Sequence, residues 1–243
     1  FGEIYEQIPE LPFCNIWTAM QLSSRLPKGA LFHMGVSNTR RCWNMFQLPE
    51  SVESACNVGC CGIDGCVSTL VGASLVNPDR LCYVVVGDLT FFYDLNSLGN
   101  HHIGTNLRVM LVNNGRGTEF RLGIHHCNVF GDDADKYMAA AGHFGNKSPL
   151  LVKHYAEDLG FHYLSATTKE EFMTALSNFT NPQLSDHSMI LEVFTDSKDE
   201  SEALYLMSHI QSDAKGMVRS KLKDAVRNVA GEKGINAIKK ILK

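Results

Sequence analysis

Two short polar segments stand out in this 243-residue chain. Gly87-Asp88-Leu89-Thr90 follows the apolar run Leu81 to Val86, and Asn113-Asn114-Gly115-Arg116-Gly117 follows the apolar run Leu107 to Val112. Asp88 offers a carboxylate oxygen, Asn114 an amide oxygen, and the backbone near Arg116 a carbonyl. These are hard oxygen donors of the kind Mg²⁺ takes, with water and phosphate oxygens completing its octahedron. A helix opening at Asp88 presents free N–H groups and a positive dipole end to a phosphate, and the Thr90 hydroxyl adds a donor. Taken singly, Asp88 fits a helix cap and Asn114 a turn. Taken together they make half of a site that a magnesium-bound diphosphate would complete.

For the two segments to meet, the strands before them must lie side by side and run the same way. The hydrophobic pattern supplies such strands at 30–36, 81–86, 107–112, 161–165 and 189–194. Helices are expected before residue 28, over Cys66 to Val76 with Asn77-Pro78 as its stop, from Asp88 to Asn100, and over 150–159 and 169–179. The stretch from Ser37-Asn38-Thr39 to Gly65 reads as loop. Fully apolar strands alternating with helices predict an α/β fold with three αβα layers and a mostly parallel central sheet. Such sheets bind ligands at the carboxyl ends of their strands, where both polar segments fall. This domain is expected to span residues 1–196. From 197 to 243 a helical tail is expected, with Val218, Leu222, Val226 and Val229, then Ile235, Ile238 and Ile241, at helical spacing.

The sequence resembles thiamine-diphosphate (ThDP) enzymes, in which Gly-Asp and a later Asn-Asn hold the metal diphosphate. Within them it resembles most the 2-succinyl-5-enolpyruvyl-6-hydroxy-3-cyclohexene-1-carboxylate (SEPHCHC) synthases of menaquinone biosynthesis. The resemblance rests on His33-Met34-Gly35-Val36-Ser37 with Arg41, on Gly62-Ile63-Asp64-Gly65 with Ser68-Thr69, and on Gly87-Asp88-Leu89-Thr90 with Tyr93-Asp94-Leu95-Asn96-Ser97-Leu98. Asn113-Asn114 and Phe120 extend it. It implies that Asp88, Asn114 and the Arg116 carbonyl hold Mg²⁺. Cofactor contacts would fall on Ser37, Gly62, Ile63, Gly87, Asp88, Leu89, Thr90, Asn114, Gly117 and Phe120, with Ile63 as the wedge under the bent cofactor. Arg41, with Ser37, would meet substrate. The chemistry implied is decarboxylation of a 2-oxo acid and transfer of the remainder to an acceptor. At the position of a second substrate arginine in the family stands Val58, so bidentate pairing with a second carboxylate is lost.

No glutamate in the chain matches the one that activates the cofactor in this superfamily. That residue comes from a separate pyrimidine-binding domain, expected here from the same parent chain or from a partner, and homo-oligomerisation is expected with it. Phe1 reads as the edge of a fragment. A simple 2-oxo acid decarboxylase of the phosphonopyruvate or sulfopyruvate type is the alternative enzyme, and a non-catalytic module with this fold is the alternative outside catalysis. A dinucleotide-binding domain is disfavoured, because no G-x-G-x-x-G follows the first strand. Glu119 matches no family glutamate, His125-His126 reads as a surface loop pair, and His101-His102 reads as a helix end where histidine complements the dipole.

Eight cysteines lack the paired spacing of a zinc ribbon. They read as reduced, small apolar residues, which suits the cytoplasm. No apolar run reaches the roughly 20 residues of a membrane-spanning helix. Net charge is −4, but residues 215–243 hold nine Lys/Arg against two acids, so the tail is basic and the body acidic. The tail is expected to pack on its own oligomer, with an anionic membrane surface as the alternative and no nucleic acid.

Overall fold

A computed structural model describes residues 7–59, 61–122, 125–133 and 148–210. The basic helices expected beyond residue 214, Cys60 and His143 lie outside the described residues, as does the side chain of Phe120. Strands β1 (Leu31–Met34), β2 (Glu53–Cys56), β3 (Cys82–Gly87), β4 (Leu107–Asn113), β5 (His162–Ala166) and β6 (Met189–Phe194) form one sheet in the order β2-β1-β3-β4-β6-β5. Every pairing is parallel. The predicted three-layer α/β architecture is therefore observed.

β2 is a correction, since it lies in the stretch read as loop. Its residues Glu53, Ser54 and Ala55 are exposed, and it pairs only with β1 at the edge of the sheet. A strand with no buried face leaves no hydrophobic alternation to read.

Helices α1 (Asn15–Leu22), α2 (Asn38–Trp43), α3 (Cys66–Val76), α4 (Asp88–Tyr93), α5 (Leu151–Asp158), α6 (Lys169–Phe179) and α7 (Ser197–Ser208) cover the sheet. Alternate strand residues feed two cores. Tyr83, Val85, Met110, Val112 and Leu191 pack with Trp17 of α1, Trp43 of α2 and Phe172 and Phe179 of α6. Val84, Val86, Val109, Leu111 and Ile190 pack with Leu70 of α3, Phe91 of α4 and Val152 of α5. Successive strand side chains point to opposite faces, so strands apolar throughout must be covered twice. Each fully buried Phe or Leu contributes roughly 1.5–3 kcal/mol.

The helix starts are specified locally. Thr168 caps α6 by accepting from Glu171 N–H, and the Glu171 carboxylate reaches back to Thr167 N–H. Asp196 caps α7 by accepting from Lys198 and Asp199 N–H. α7 is not a detached tail: Ala203 and Met207 are part of the first core, and the Glu200 carboxylate accepts the Asn15 N–H at the start of α1 at 3.0 Å. The packed body thus continues past residue 196.

The helix expected from Asp88 to Asn100 breaks after Tyr93 and resumes as a 3₁₀ turn over Leu95–Gly99. Asp94 explains the break. Its carboxylate accepts the Ser68 N–H at 2.6 Å, in the first turn of α3, so Asp94 caps a neighbouring helix instead of extending its own.

Candidate metal-diphosphate site

The chain runs from β1 to β2 on one side, then crosses to β3 on the other side of β1. A crevice forms where the strand order reverses in this way, at the carboxyl ends of β1 and β3. Ser37 follows β1, Asp88 follows β3, and Asn114 follows β4. A cavity of about 270 Å³ opens at this point, and its wall includes Ser37, Asp88, Thr90, Asn114, Arg116 and Gly117. Gly87, Leu89 and Ile63 line it too. The two polar segments picked out in the sequence therefore line one cavity. Gly62 is not on the wall, although its neighbours Cys61 and Ile63 are.

The parallel register pairs Gly87 with Val112, so the Asp88 and Asn113-Asn114 turns leave the sheet together. Asp88 is buried, and its Oδ1 accepts the Leu89 N–H at 2.8 Å. Asn114 Oδ1 accepts the Arg116 N–H at 3.2 Å. Each oxygen accepts one local N–H and keeps lone-pair capacity for a second interaction. Gly115 takes φ 82°, a left-handed conformation that glycine adopts without strain. A Cβ built at Gly87 meets nothing within 4 Å, so the backbone there borders open cavity. Thr118 Oγ1 is buried on the same wall with no hydrogen-bond partner among the described residues. Among the described residues no cluster of three His, Cys, Asp or Glu side chains is arranged for a metal. The donor set is thus one carboxylate with amide and carbonyl oxygens, which suits Mg²⁺ rather than zinc.

Asn113 and Asn114 divide the work by pointing opposite ways. Asn113 is buried, and its Nδ2 donates to Glu192 on β6 at 2.7 Å while its Oδ1 accepts the Gly115 N–H at 3.2 Å. Tyr163 on β5 donates its hydroxyl to the other Glu192 oxygen at 2.7 Å. This chain fixes the loop that carries Asn114. Burial pushes the Glu192 carboxyl above the usual carboxylate range, against the pull of its two hydrogen bonds.

Glu200 supports the opposite wall. It accepts from Thr195 Oγ1 and from Asn15 N–H, and Asn15 itself lines the cavity. Burial raises its carboxyl from 4.5 to about 7, and the nearby charges of Asp199 and Asp88 push the same way. His33 on β1 is buried and its ring is held below its ordinary pKa by burial.

The substrate candidates meet an unexpected partner. Ser37 takes φ 70°, rare for a residue with a side chain, and its hydroxyl donates to the Glu119 carboxylate. Arg41 pairs with the same Glu119 oxygen and donates to Asn38 Oδ1 at 3.2 Å. Arg41 reaches the cavity only through Glu119, which lines it. Asn15, Glu192 and Glu200 carried no legible sign in the sequence, and the pairing of Glu119 with Ser37 and Arg41 carried none either, since these partners are remote in the chain. His125 and His126 do not line the cavity, and His101 and His102 are exposed and stacked on each other at 3.9 Å.

Comparison with known proteins follows the same line. The chain is 34% identical over 196 residues to the 2-succinyl-5-enolpyruvyl-6-hydroxy-3-cyclohexene-1-carboxylate synthase of Bacteroides fragilis, covering 81% of this chain and 34% of that protein. The protein of the same name from Phocaeicola vulgatus is 34% identical over 200 residues, again 81% of this chain and 34% of the relative. That of Christiangramia forsetii is 33% identical over 199 residues, 82% of this chain and 33% of the relative. Over this length the chain is similar to SEPHCHC synthases. No family model matches it. The synthase-like chain spans about a third of the length of these curated relatives. Among the described residues no helix is long and apolar enough to cross a membrane, and Cys14, Cys42, Cys56, Cys61, Cys66, Cys82 and Cys127 are all free thiols.

Proposed function

We propose that the chain is the part of a ThDP-dependent SEPHCHC-synthase-like transferase or lyase that binds Mg²⁺ and the cofactor diphosphate. The observation that carries this reading is the convergence of Asp88, Asn114 and the Arg116–Gly117 turn on one cavity at the switch point of a parallel sheet. The residues present fit the group. Asp88, Asn114 and the Arg116 carbonyl would hold the metal. Thr90 and the unpartnered Thr118 hydroxyl would donate to phosphate oxygens. The short α4 contributes through its first N–H groups rather than through a long dipole. Gly87 and Gly117 keep the backbone near the diphosphate uncluttered, and Ile63 supplies an apolar face for the bent cofactor.

ThDP, when bound, supplies the nucleophilic carbon and the electron sink for decarboxylation of a 2-oxo acid. What this chain adds is orientation and a wall that excludes water. The proton chemistry at the aminopyrimidine needs a glutamate that we assign to a pyrimidine-binding domain outside these residues, in an oligomer with sites between subunits. A reducing, cytoplasmic setting accords with the free thiols.

Calorimetric titration of the intact protein with ThDP and Mg²⁺ tests the reading. We expect saturable, Mg²⁺-dependent binding that Asp88→Ala abolishes. Equal binding with and without Mg²⁺, or an unaffected Asp88→Ala variant, would refute it.

A further inference from the structure

Ser37 and Arg41 are the side chains assigned to substrate, yet both are engaged by one carboxylate oxygen of Glu119. Glu119 stands on the cavity wall, in the 3₁₀ turn Thr118–Arg121 just beyond the metal loop. The pair is within reach of solvent, at 36% exposure for the Arg41 side chain and 23% for Glu119. An internal carboxylate therefore sits where an incoming anionic group would dock. On the neighbouring loop, Val58 is neutral and exposed and brings no compensating cation.

We propose that Glu119 sets the charge specificity of the substrate end of the cavity, so that the site takes a 2-oxo acid whose far end is uncharged and discriminates against a second carboxylate. The inference rests on the cofactor reading above, together with the resemblance that gives Ser37 and Arg41 to substrate. Its physical basis is simple. Arg41 already has its counter-charge, so a second carboxylate must either displace Glu119 or lie against it. Displacement leaves Glu119 without its guanidinium, and coexistence sets two like charges side by side. Specificity built by such repulsion acts as strongly as specificity built by a new contact. An uncharged hydrogen-bonding tail meets neither penalty, and the Ser37 and Asn38 side chains remain to orient it.

The test uses the full-length enzyme with ThDP and Mg²⁺ present, and two unreactive probes of equal carbon number, succinate and butyrate. Binding is measured by calorimetry for the wild type, Glu119→Gln, Glu119→Asp and the double variant Glu119→Gln/Arg41→Met. We expect Glu119→Gln to bind succinate about tenfold more tightly than the wild type, and to gain less for butyrate, which has a single carboxylate to share with the freed Arg41. The double variant should lose that gain, and Glu119→Asp should fall between wild type and Glu119→Gln. Should Glu119→Gln fail to fold, Glu119→Asp carries the comparison alone. The proposal is overturned if removing or retracting the Glu119 carboxylate leaves succinate binding unchanged, weaker or undetectable, or if the gain persists without Arg41. Cofactor affinity is titrated separately in each variant. A wild type that does not bind ThDP would sink the cofactor reading and this inference with it; cofactor binding without the gain would sink this inference alone.

Discussion

Asp88 and Asn114 are ordinary in isolation, one accepting the next residue's N–H at the start of a helix and the other closing an Asx turn. Only the cavity they share makes them a candidate metal pair. Replacing either by alanine should lower Mg²⁺-dependent ThDP affinity by at least about tenfold while leaving the melting temperature near that of the wild type, as read by calorimetry on both counts. They could be singled out in the sequence because a motif is local in sequence. Glu119, Glu192 and Glu200 were not legible, because their partners lie 82, 79 and 185 residues away. Glu200 carries a pH signature. Its carboxyl is raised by burial from 4.5 to about 7, so the fold favours the neutral form. The stability this confers is complete below the unfolded value near 4.5 and is lost as pH rises through about 7. Glu200→Gln cannot titrate. In cofactor-free protein, the wild type should therefore lose melting temperature relative to Glu200→Gln between about pH 5 and about pH 8. Parallel melting curves across that range would exclude this account.

At the level of elements, the strands that carry the site were read correctly because they are apolar on both faces. β2 escaped because its side chains are exposed, and the break in α4 escaped because Asp94 serves α3. The strand ends also separate folding from binding. Gly87 has extended backbone, at φ −78° and ψ 169°, and a Cβ there meets no protein atom within 4 Å. Gly87→Ala should fold as the wild type does and lose cofactor affinity, a split that denaturation and calorimetry resolve together. At β6 the expectation is the opposite. Glu192→Ala strands the Asn113 amide and the Tyr163 hydroxyl, both bonded to it now. Losing these buried partners should cost about 2–4 kcal/mol in chemical denaturation and loosen the Asn114 loop with it.

At the scale of the whole molecule, the described residues form one sheet with a core on each face and a crevice at its switch point. The overall architecture was plain from the alternation of strands and helices, whereas the union of α7 with the body was hidden, because Glu200 docks on α1 across nearly the whole chain. We expect the chain alone to bind ThDP without turning over 2-oxo acids, and turnover to appear when a glutamate-bearing pyrimidine domain is supplied; steady release of CO₂ by the isolated chain would contradict this. The tryptophans add a practical consequence. Trp43 is 1% exposed and donates its indole N–H to Asn15 Oδ1 at 2.9 Å, and Asn15 borders the cavity. Trp17 lies instead against Phe13 and Phe172. Indole emission responds to the dipole it is bonded to, so occupancy of the crevice is reported by an intrinsic fluorophore one residue removed from it, and occupancy can be followed in real time without a label.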